Sequence, residues 1–377
     1  MPQTGHPPTP STSVPEDRGP LGTASDQHRP ERRLRRLTTA TGAVAGLLVL
    51  TAVALPTPYI IESPGPTFDT IGEFDGSPVI TVDGAQTYPT AGRLDLTTVY
   101  VAGAPQGWTT FAEVAQAWVD PDIQLMPQEL VYPSGTTSEQ VSQQNTQAMA
   151  TSQSWAVAAA LEELEIDYRQ ELFVSGFTPE TQAEDLLQPQ DQLISADGVE
   201  VTGLQGLKRR LNESGGEPVE LGIIRDGREM TVQIPVYPGP GETWLIGVYL
   251  DSTFDFPVDV TITLENVGGP SAGMMFALGL VDELTPGPMT GGRHIAGTGT
   301  IDPDGTVGPI GGVVQKVAGA REAGAETFLA PAENCAELAG RVPDGMTVYA
   351  VSTLGQARQH VEDLGRDREP QDAQQCG

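Results

Sequence analysis

The chain has 377 residues, enough for two or three domains of about 150 residues with a proper buried core. It carries 50 acidic against 20 basic residues, a formal net charge of −30. Because a phosphate backbone needs a basic surface, we expect no nucleic-acid partner. Two Cys and four His exclude a disulfide-dense scaffold and most Cys/His metal sites, and we predict neither a metal ion nor a cofactor.

Residues 1–36 are rich in Pro, Ser and Thr and predict a disordered cytoplasmic tail. An uncharged, mostly apolar run at 37–61 predicts a transmembrane helix, since roughly 20 such residues cross a bilayer. By the positive-inside rule, the arginines before this run would stay in the cytoplasm and the rest of the chain would lie outside the cell membrane. Those arginines are Arg29, Arg32, Arg33, Arg35 and Arg36.

Two other interpretations of this run remain open. Ala52-Val53-Ala54 has the small-x-small form of a signal-peptide cleavage site, so the segment could be removed from the mature protein. The run could also be a buried helix of a soluble protein, although the arginines beside it disfavour that interpretation.

Three regions follow outside the membrane. Residues 62–164 contain two strand patterns, at Val79–Val82 and Leu94–Val101, and a helical pattern from Ser138 to Leu164. Residues 239–365 alternate strands and helices, as α/β and α+β domains do, and we take the class to be α+β. Residues 366–377 are polar and predict a disordered tail.

Residues 165–238 predict a small separate unit of strands around one short helix. Asp197-Gly198 and Asp226-Gly227 are hairpin signals between strand patterns. This order, with Gln190–Gly198 at its centre, resembles a bacterial PDZ domain, although Gln190 stands where a Gly normally precedes the Asp. The resemblance implies that extended peptides bind by adding a strand to a sheet edge.

The chemistry-bearing stretch begins with the turn Gly268-Gly269-Pro270-Ser271-Ala272-Gly273, which opens an apolar helix. The first N–H groups of a helix lack partners within it and lie at its positive end, so they can stabilise an oxyanion. Ser271 is therefore a candidate nucleophile, with Gly269 and Ala272 as supporting residues. The alternative is that Ser271 only caps the helix.

A second stretch contains Gly297-Thr298-Gly299 and, after Pro309-Ile310-Gly311-Gly312, a lysine at 316 on a small apolar helix. Only two of the 20 bases are lysines, Lys208 and Lys316. Burial disfavours a charged amine, and a neutral Lys316 could take the proton of Ser271 without a histidine, which a guanidinium cannot do. The alternative is a surface lysine that keeps its amine in water. Lys208 reads as an exposed, solvated base.

Together these motifs resemble the proteolytic domain of Lon-type peptidases over about residues 256–365. The resemblance implies that Ser271 is the nucleophile, Lys316 the general base and Thr298 the residue that orients the lysine. By itself Thr298 could be an ordinary strand-end hydroxyl. Gly268 departs from the family, because ATP-dependent Lon proteases usually carry an acid there. A faint likeness around Met149 implies that 62–164 begins this fold and that the PDZ-like unit interrupts it.

No Gly-x4-Gly-Lys-[Ser/Thr] phosphate loop occurs in the chain, so we expect no ATP dependence. The whole combination resembles the PDZ-containing Lon-like proteases of bacteria. We therefore predict a membrane-anchored serine endopeptidase acting on extracytoplasmic proteins or peptides, with the PDZ-like unit binding substrate tails or gating access. The resemblance also implies a homo-oligomer.

The rival to this prediction is an inactive, membrane-tethered peptide-binding scaffold. A Ser-His-Asp triad through His294 is disfavoured, because this histidine lies beside Arg293 in a Gly-rich loop, where a surface role is commoner. Pairing of Cys335 with Cys376 is left open.

Overall fold

The computed structural model describes residues 29–377 except 134, 180, 265–266 and 372. Residues 1–28, which hold most of the predicted tail, therefore lie outside the described residues. By the density of its contacts the chain divides into two units, residues 1–55 and 56–377. The first contains helix α1, Arg29–Val53.

The predicted transmembrane helix at 37–61 is wrong. Among the described residues, none of the helices has both the length and the apolar character that a bilayer crossing requires. Helix α1 ends at Val53, and Tyr59-Ile60-Ile61 begins a strand, β2, instead of extending the helix. The uncharged part of α1 after Arg36 is therefore shorter than the roughly 20 residues of a typical span.

The second unit contains helices and strands throughout. Its helices are α2 Phe111–Ala117, α3 Gln128–Val131, α4 Ser138–Glu163, α5 Leu204–Glu213, α6 Gly273–Leu284, α7 Val313–Glu322 and α8 Leu354–Gly365. Its first strands are β1 Pro56–Thr57, β2 Tyr59–Asp69, β3 Glu73–Phe74, β4 Ser77–Pro78, β5 Ile80–Asp83, β6 Arg93–Ala102, β7 Thr109–Thr110 and β8 Gln124–Pro127. The middle strands are β9 Arg169–Phe177, β10 Gln192–Ala196, β11 Val199–Glu200, β12 Val219–Arg225, β13 Arg228–Ile234, β14 Tyr237–Pro238, β15 Trp244–Leu245 and β16 Val248–Asp255. The last are β17 Asp259–Ile262, β18 His294–Gly297, β19 Thr300–Ile301, β20 Val307–Gly308, β21 Thr327–Pro331 and β22 Thr347–Val351.

The central sheet is mixed, with the order β22-β21-β18-β6-β2-β8. The first four strands run parallel, and β2 is antiparallel to both of its neighbours. Side chains alternate between the faces of a strand: Leu329 packs with α4, α6 and α8, whereas Phe328 and Ala330 pack with α7. Helices thus cover both faces, and the class is mixed α/β, not the predicted α+β with a transmembrane helix.

Distant parts of the sequence build this sheet. Strands β2 and β6 precede residue 165, yet β6 pairs with β18. Helix α4 starts at a capping box between Thr137 and Gln140 and packs along α6 through a core that includes Met149 and Leu161. The chain leaves this arrangement after α4 and returns to it at β17.

The intervening segment, residues 169–255, is named the insert here. Its sheet has the order β13-β12-β10-β9-β16, with β11 beside β10 and with α5 packed over a separate core. Strand β16 lies beyond the predicted limit of residue 238, and it pairs antiparallel with β9 from Val248 to Asp255. Arg169 and Asp255 are cross-strand partners, so the insert begins and ends at one place.

The C-terminal segment, predicted as a disordered tail over 366–377, lies along β22. Ala350 N–H donates to Gln374 O at 2.8 Å, and Cys376 N–H donates to Val348 O at 3.0 Å. A disulfide joins Cys335 to Cys376. These bonds hold a polar segment that would not bury enough apolar surface to order itself.

Candidate active site

The candidate active site lies at the carboxyl end of β18, in the central sheet, which we call the catalytic sheet from here on. Thr298 directly follows this strand, Ser271 precedes α6 on one face of the sheet, and Lys316 lies in the first turns of α7 on the other. The starts of the two helices meet at the end of β18, which brings together residues that are 45 positions apart in sequence.

Ser271, Lys316 and Thr298 form a closed set of hydrogen bonds. Lys316 Nζ lies 2.7 Å from Ser271 Oγ and 3.1 Å from Thr298 Oγ1. Thr298 Oγ1 donates to Ser271 O at 3.0 Å. The amine is thus fixed between the two hydroxyls, a separation suitable for proton transfer.

The amine of Lys316 lies in a dry environment. The residue is 3% exposed. Burial lowers the pKa of Lys316 to about 8, although the negative charge of Glu62 raises it. A substantial fraction of the lysine is therefore neutral in mildly alkaline solution, which a general base requires. The alternative of a solvated surface lysine does not fit this environment.

The turn before α6 is held in an open conformation. Gly269 has φ +89°, a conformation that favours glycine, and its N–H donates to Asn145 O at 3.2 Å. Ala272 is the buried N-cap of α6, and no side chain caps this end. Ser271 Oγ contacts Lys316 instead, so the serine is not merely a helix cap.

Backbone donors lie close to Ser271. Gly273 N–H donates to Pro270 O at 3.4 Å and Met274 N–H to Gly299 O at 3.1 Å, which fixes the first turn of α6. The N–H groups of Ser271 and Ala272 precede these and have no intrahelical acceptor. Together with the helix dipole they form a suitable environment for a negatively charged oxygen.

Sequence reasoning missed four residues that position the site. Ser152 on α4 donates to Pro270 O at 2.9 Å, and Asn145 accepts from Gly269 as described. Asn334 Nδ2 donates to Ile310 O, and Asn334 Oδ1 accepts from Ile310 N–H, each at 2.9 Å, which fixes the turn before α7. Glu62 acts electrostatically on Lys316. Polar residues this far away in sequence give no local signal of their partners.

Two other singled-out residues lie elsewhere. His294 Nε2 hydrogen-bonds Asp95 Oδ2 at 2.9 Å at the start of β18, about 13 Å from Thr298 along the strand. Lys208, on α5 of the insert, lies 3.9 Å from Asp304 Oδ2, so this base bridges the insert and the turn between β19 and β20. Among the described residues no group of side chains suits a metal ion.

Two cavities adjoin the site. One, of about 460 Å³, is lined by Pro270 and Thr300 together with residues of α4 that include Trp155. The other, of about 860 Å³, lies between α5 and β16 and is also lined by Trp155 and Asp302. Trp155 and Asp302 therefore border both cavities, one on the side of the insert and one on the side of the turn that carries Ser271.

Residues 263–361 match the family described as the Lon protease (S16) C-terminal proteolytic domain. Lon protease 1 of Sorangium cellulosum (strain So ce56) is 44% identical over 92 residues, 24% of this chain and 11% of that protein. Lon protease 1 of Bacillus subtilis (strain 168) is 28% identical over 181 residues, 46% of this chain and 23% of that protein. The region matched by the family, residues 263–361, includes Ser271, Thr298 and Lys316. This similarity supports a serine endopeptidase.

These similarities have limited extent. The family match covers the later part of the catalytic sheet, and the chain spans 11% to 23% of the length of the Lon proteases just described. The PDZ domain of an SdrC-like protein from Listeria monocytogenes covers 21% of this chain at 18% identity with a TM-score of 0.20. This likeness is too weak to support an argument about the insert.

Proposed function

We propose that this chain is a serine endopeptidase in which Ser271 attacks a peptide carbonyl and Lys316 is the general base. The contact of 2.7 Å between Lys316 Nζ and Ser271 Oγ, in a buried setting, carries this proposal. The amine takes the hydroxyl proton as the Oγ–carbon bond forms, and the backbone donors beside Ser271 stabilise the oxyanion. Lys316 then protonates the leaving amine.

Water then hydrolyses the resulting acyl-enzyme and releases the second product. The amine, neutral again after giving its proton to the first product, takes a proton from water as the water oxygen attacks the ester carbonyl. It returns this proton to Ser271 Oγ as the ester C–O bond breaks. Thr298 holds the amine on its second side throughout, so that the lone pair stays aimed at Ser271. No cofactor enters this sequence, and we propose that cleavage by this chain needs no ATP.

We further propose that the insert binds an extended segment of the substrate. Strand β16 is an edge strand of its sheet, and an edge presents unpaired backbone groups to which a peptide can add. Leu250 and Ser252 of β16 face α5 across the 860 Å³ cavity. A segment bound there would continue toward Ser271 past Trp155 and Asp302, which line both cavities.

The substrates proposed are proteins or peptides outside the cytoplasm. The Cys335–Cys376 disulfide supports this location, since such bonds persist in oxidising compartments. The net charge of −30 supports the exclusion of nucleic acid. Assembly into a homo-oligomer is also part of the proposal and is supported by the resemblance to Lon-type domains alone.

The direct test is labelling with a serine-directed phosphonate together with hydrolysis of casein, both without ATP. We expect wild type to be labelled and active, and Ser271→Ala to be neither. Ser154→Ala, which changes an exposed serine on α4, is the matched control and should behave as wild type. Labelling that persists in Ser271→Ala, or casein hydrolysis that starts only when ATP is added, would contradict the proposal.

A further inference from the structure

Strand β6 continues past the end of β18, and its last part, residues 98–102, is named the free edge of β6 here. The pairing of β18 with β6 ends at Gly297, which lies opposite Leu96. On its other side β6 stays paired with β2 as far as Ala102, which lies opposite Ile61. Over the free edge, β6 therefore has a neighbouring strand on one side instead of two.

The backbone groups of Val99 and Val101 point to the side that β18 leaves open. Arg93 N–H donates to Arg293 O just ahead of β18, whereas Leu94 O accepts a hydrogen bond on the β2 side. Because alternate residues of a strand direct their N–H and C=O groups to the same side, both valines share the side of Arg93. Among the described residues, neither valine has a backbone partner there.

The free edge of β6 is open to solvent. Leu94 and Leu96, which lie opposite β18, are fully buried, whereas Tyr100 is 61% and Val101 39% exposed. The exposure of β6 therefore increases past the end of β18. A strand edge with unpaired N–H and C=O groups is a template to which another extended chain can add.

This edge lies beside the nucleophile. In the register of β18 and β6, Thr298 is level with Thr97, and neighbouring strands are about 4.8 Å apart. Thr298 Oγ1 lies 3.1 Å from Lys316 Nζ, which lies 2.7 Å from Ser271 Oγ. After Thr298 the chain leaves the sheet, and Gly299 N–H donates to Ser271 O. An extended peptide in line with β18 would therefore pair with the free edge of β6 and pass Ser271.

Tyr100 is the most exposed large side chain of the free edge and lies on the face of the nucleophile. Val99 faces α7, because a Cβ built on Gly312 would lie 2.9 Å from Val99 Cγ1. Side chains alternate between the two faces of a strand, so Tyr100 is on the α6 side, from which Ser271 enters the site. Its ring offers an apolar surface to a side chain that a paired peptide directs to the same face.

We propose that the substrate backbone pairs with Val99 and Val101 on the free edge of β6 while Ser271 attacks, and that Tyr100 sets a preference for an apolar substrate residue. This pairing would hold the peptide extended, with its carbonyl at the nucleophile. The inference rests on the proposed function, because it names the residues that present the peptide bond to Ser271. It is separate from β16 of the insert, which would bind a segment away from the cleaved bond.

Two serine-directed reagents distinguish binding along β6 from the reactivity of Ser271: a small alkyl fluorophosphonate and a tetrapeptidyl phosphonate. Val101→Pro removes an N–H that points away from β2, a position at which a strand tolerates proline. We expect the peptidyl reagent to label this variant about fivefold more slowly than wild type, as the loss of one hydrogen bond predicts. Labelling by the alkyl reagent should be unchanged.

Tyr100→Ala tests the side-chain preference, and it carries the test if Val101→Pro does not fold. In peptidyl phosphonates with leucine or glycine at each position in turn, the preference for leucine at one position should fall about three- to fivefold in this variant. Tyr100→Phe should keep the preference, because the ring remains. Trp118→Ala, which removes an exposed aromatic side chain after α2, is the matched control and should behave as wild type.

Three outcomes would count against the inference, and they are distinguishable. Peptidyl labelling and leucine preference that neither Val101→Pro nor Tyr100→Ala changes, with normal alkyl labelling, would overturn it and leave the proposed function supported. Equal losses with both reagents, in variants that circular dichroism shows to be folded, would assign the effect to a displaced nucleophile and would also overturn it. A wild type that neither reagent labels would refute the proposed function, and the inference with it.

Discussion

The catalytic sheet and the insert place their polar groups differently. At the end of β18, Thr298 and Lys316 are buried and hydrogen-bonded to Ser271, between helices that cover both faces of the sheet. The insert is an antiparallel sheet with α5 over it, and its strand β16 is at an edge. Chemistry needs a dry, fixed arrangement, whereas recognition of varied peptides needs an accessible edge.

This difference predicts where substitutions act. In the catalytic sheet, changes should alter the rate for every substrate, because the reacting groups are displaced. In the insert, changes should alter how strongly long substrates bind and leave short peptides unaffected.

The largest effect is expected from Lys316→Arg. A guanidinium keeps its proton, so activity on any substrate should fall by at least about 1,000-fold. Lys208→Arg is the matched control and should retain nearly full hydrolysis of short peptides. Substantial turnover by Lys316→Arg would show that another group is the general base, and it would contradict the assignment of the chemistry to this site.

The next effect is expected from Ser152→Ala, which removes the hydrogen bond to Pro270 O that holds the nucleophile's turn. Small displacements of reacting groups are costly, and kcat should fall by about 10- to 100-fold while thermal unfolding changes little. Ser154→Ala, an exposed serine on the same helix, serves as control. Equal kcat values for the two variants would show that the Ser152 hydrogen bond does not position the turn.

The third prediction concerns stability. Asp282, near the C-terminal end of α6, is 1% exposed, and its Oδ2 has no partner among the described residues. Burial raises the pKa of Asp282 to about 6. Above pH 6 the buried charge destabilises the fold, and this penalty disappears as the pH falls through 6 toward 4, so the contribution of Asp282 to stability rises on acidification.

Asp282→Asn should therefore increase the free energy of unfolding by about 3 kcal/mol at pH 8 and by roughly half as much at pH 5. Urea unfolding at the two pH values measures this. The neighbouring Glu283 has a pKa raised to about 7, first by burial and then by the charge of Asp282. Glu283 is therefore kept in both the wild type and Asp282→Asn, so that the comparison isolates Asp282. An equal gain at both pH values would contradict the assignment to this carboxyl.

The smallest effect is expected from Asp304→Asn in the turn that contacts α5 of the insert. Asp304 accepts a hydrogen bond from Gln205 at 2.6 Å and lies 3.9 Å from Lys208. Such partly exposed pairs contribute up to about 1 kcal/mol, so KM for casein should rise at most about fivefold, with no change for short peptides. Asp344→Asn, which changes an exposed acid before β22, is the control. A fall in kcat for short peptides in Asp304→Asn would contradict the prediction that this contact affects only the binding of long substrates.

Much of the site follows from local sequence. A serine in a Gly-rich turn before an apolar helix, and a rare lysine on a small apolar helix, are patterns with a direct chemical meaning, and the structure brings Ser271, Thr298 and Lys316 together. The prediction of a membrane-spanning helix was wrong because it counted Tyr59-Ile60-Ile61 as part of the apolar helix. In the structure these residues belong to β2 and pair with β8. A short apolar run is compatible with both a helix and a buried strand, and the elements that pack against it determine which one forms.

The sequence alone determined the reacting groups, because the hydroxyl and the amine lie in short motifs whose helix and turn preferences are local. Only the tertiary structure decided what surrounds them. Ser152, Asn334 and Glu62 act on the site from separate elements, through one or two hydrogen bonds or through charge. Strand β16 pairs with β9, which begins about 80 residues earlier. Such contacts depend on which elements pack side by side, a choice made by the whole core and not by any segment.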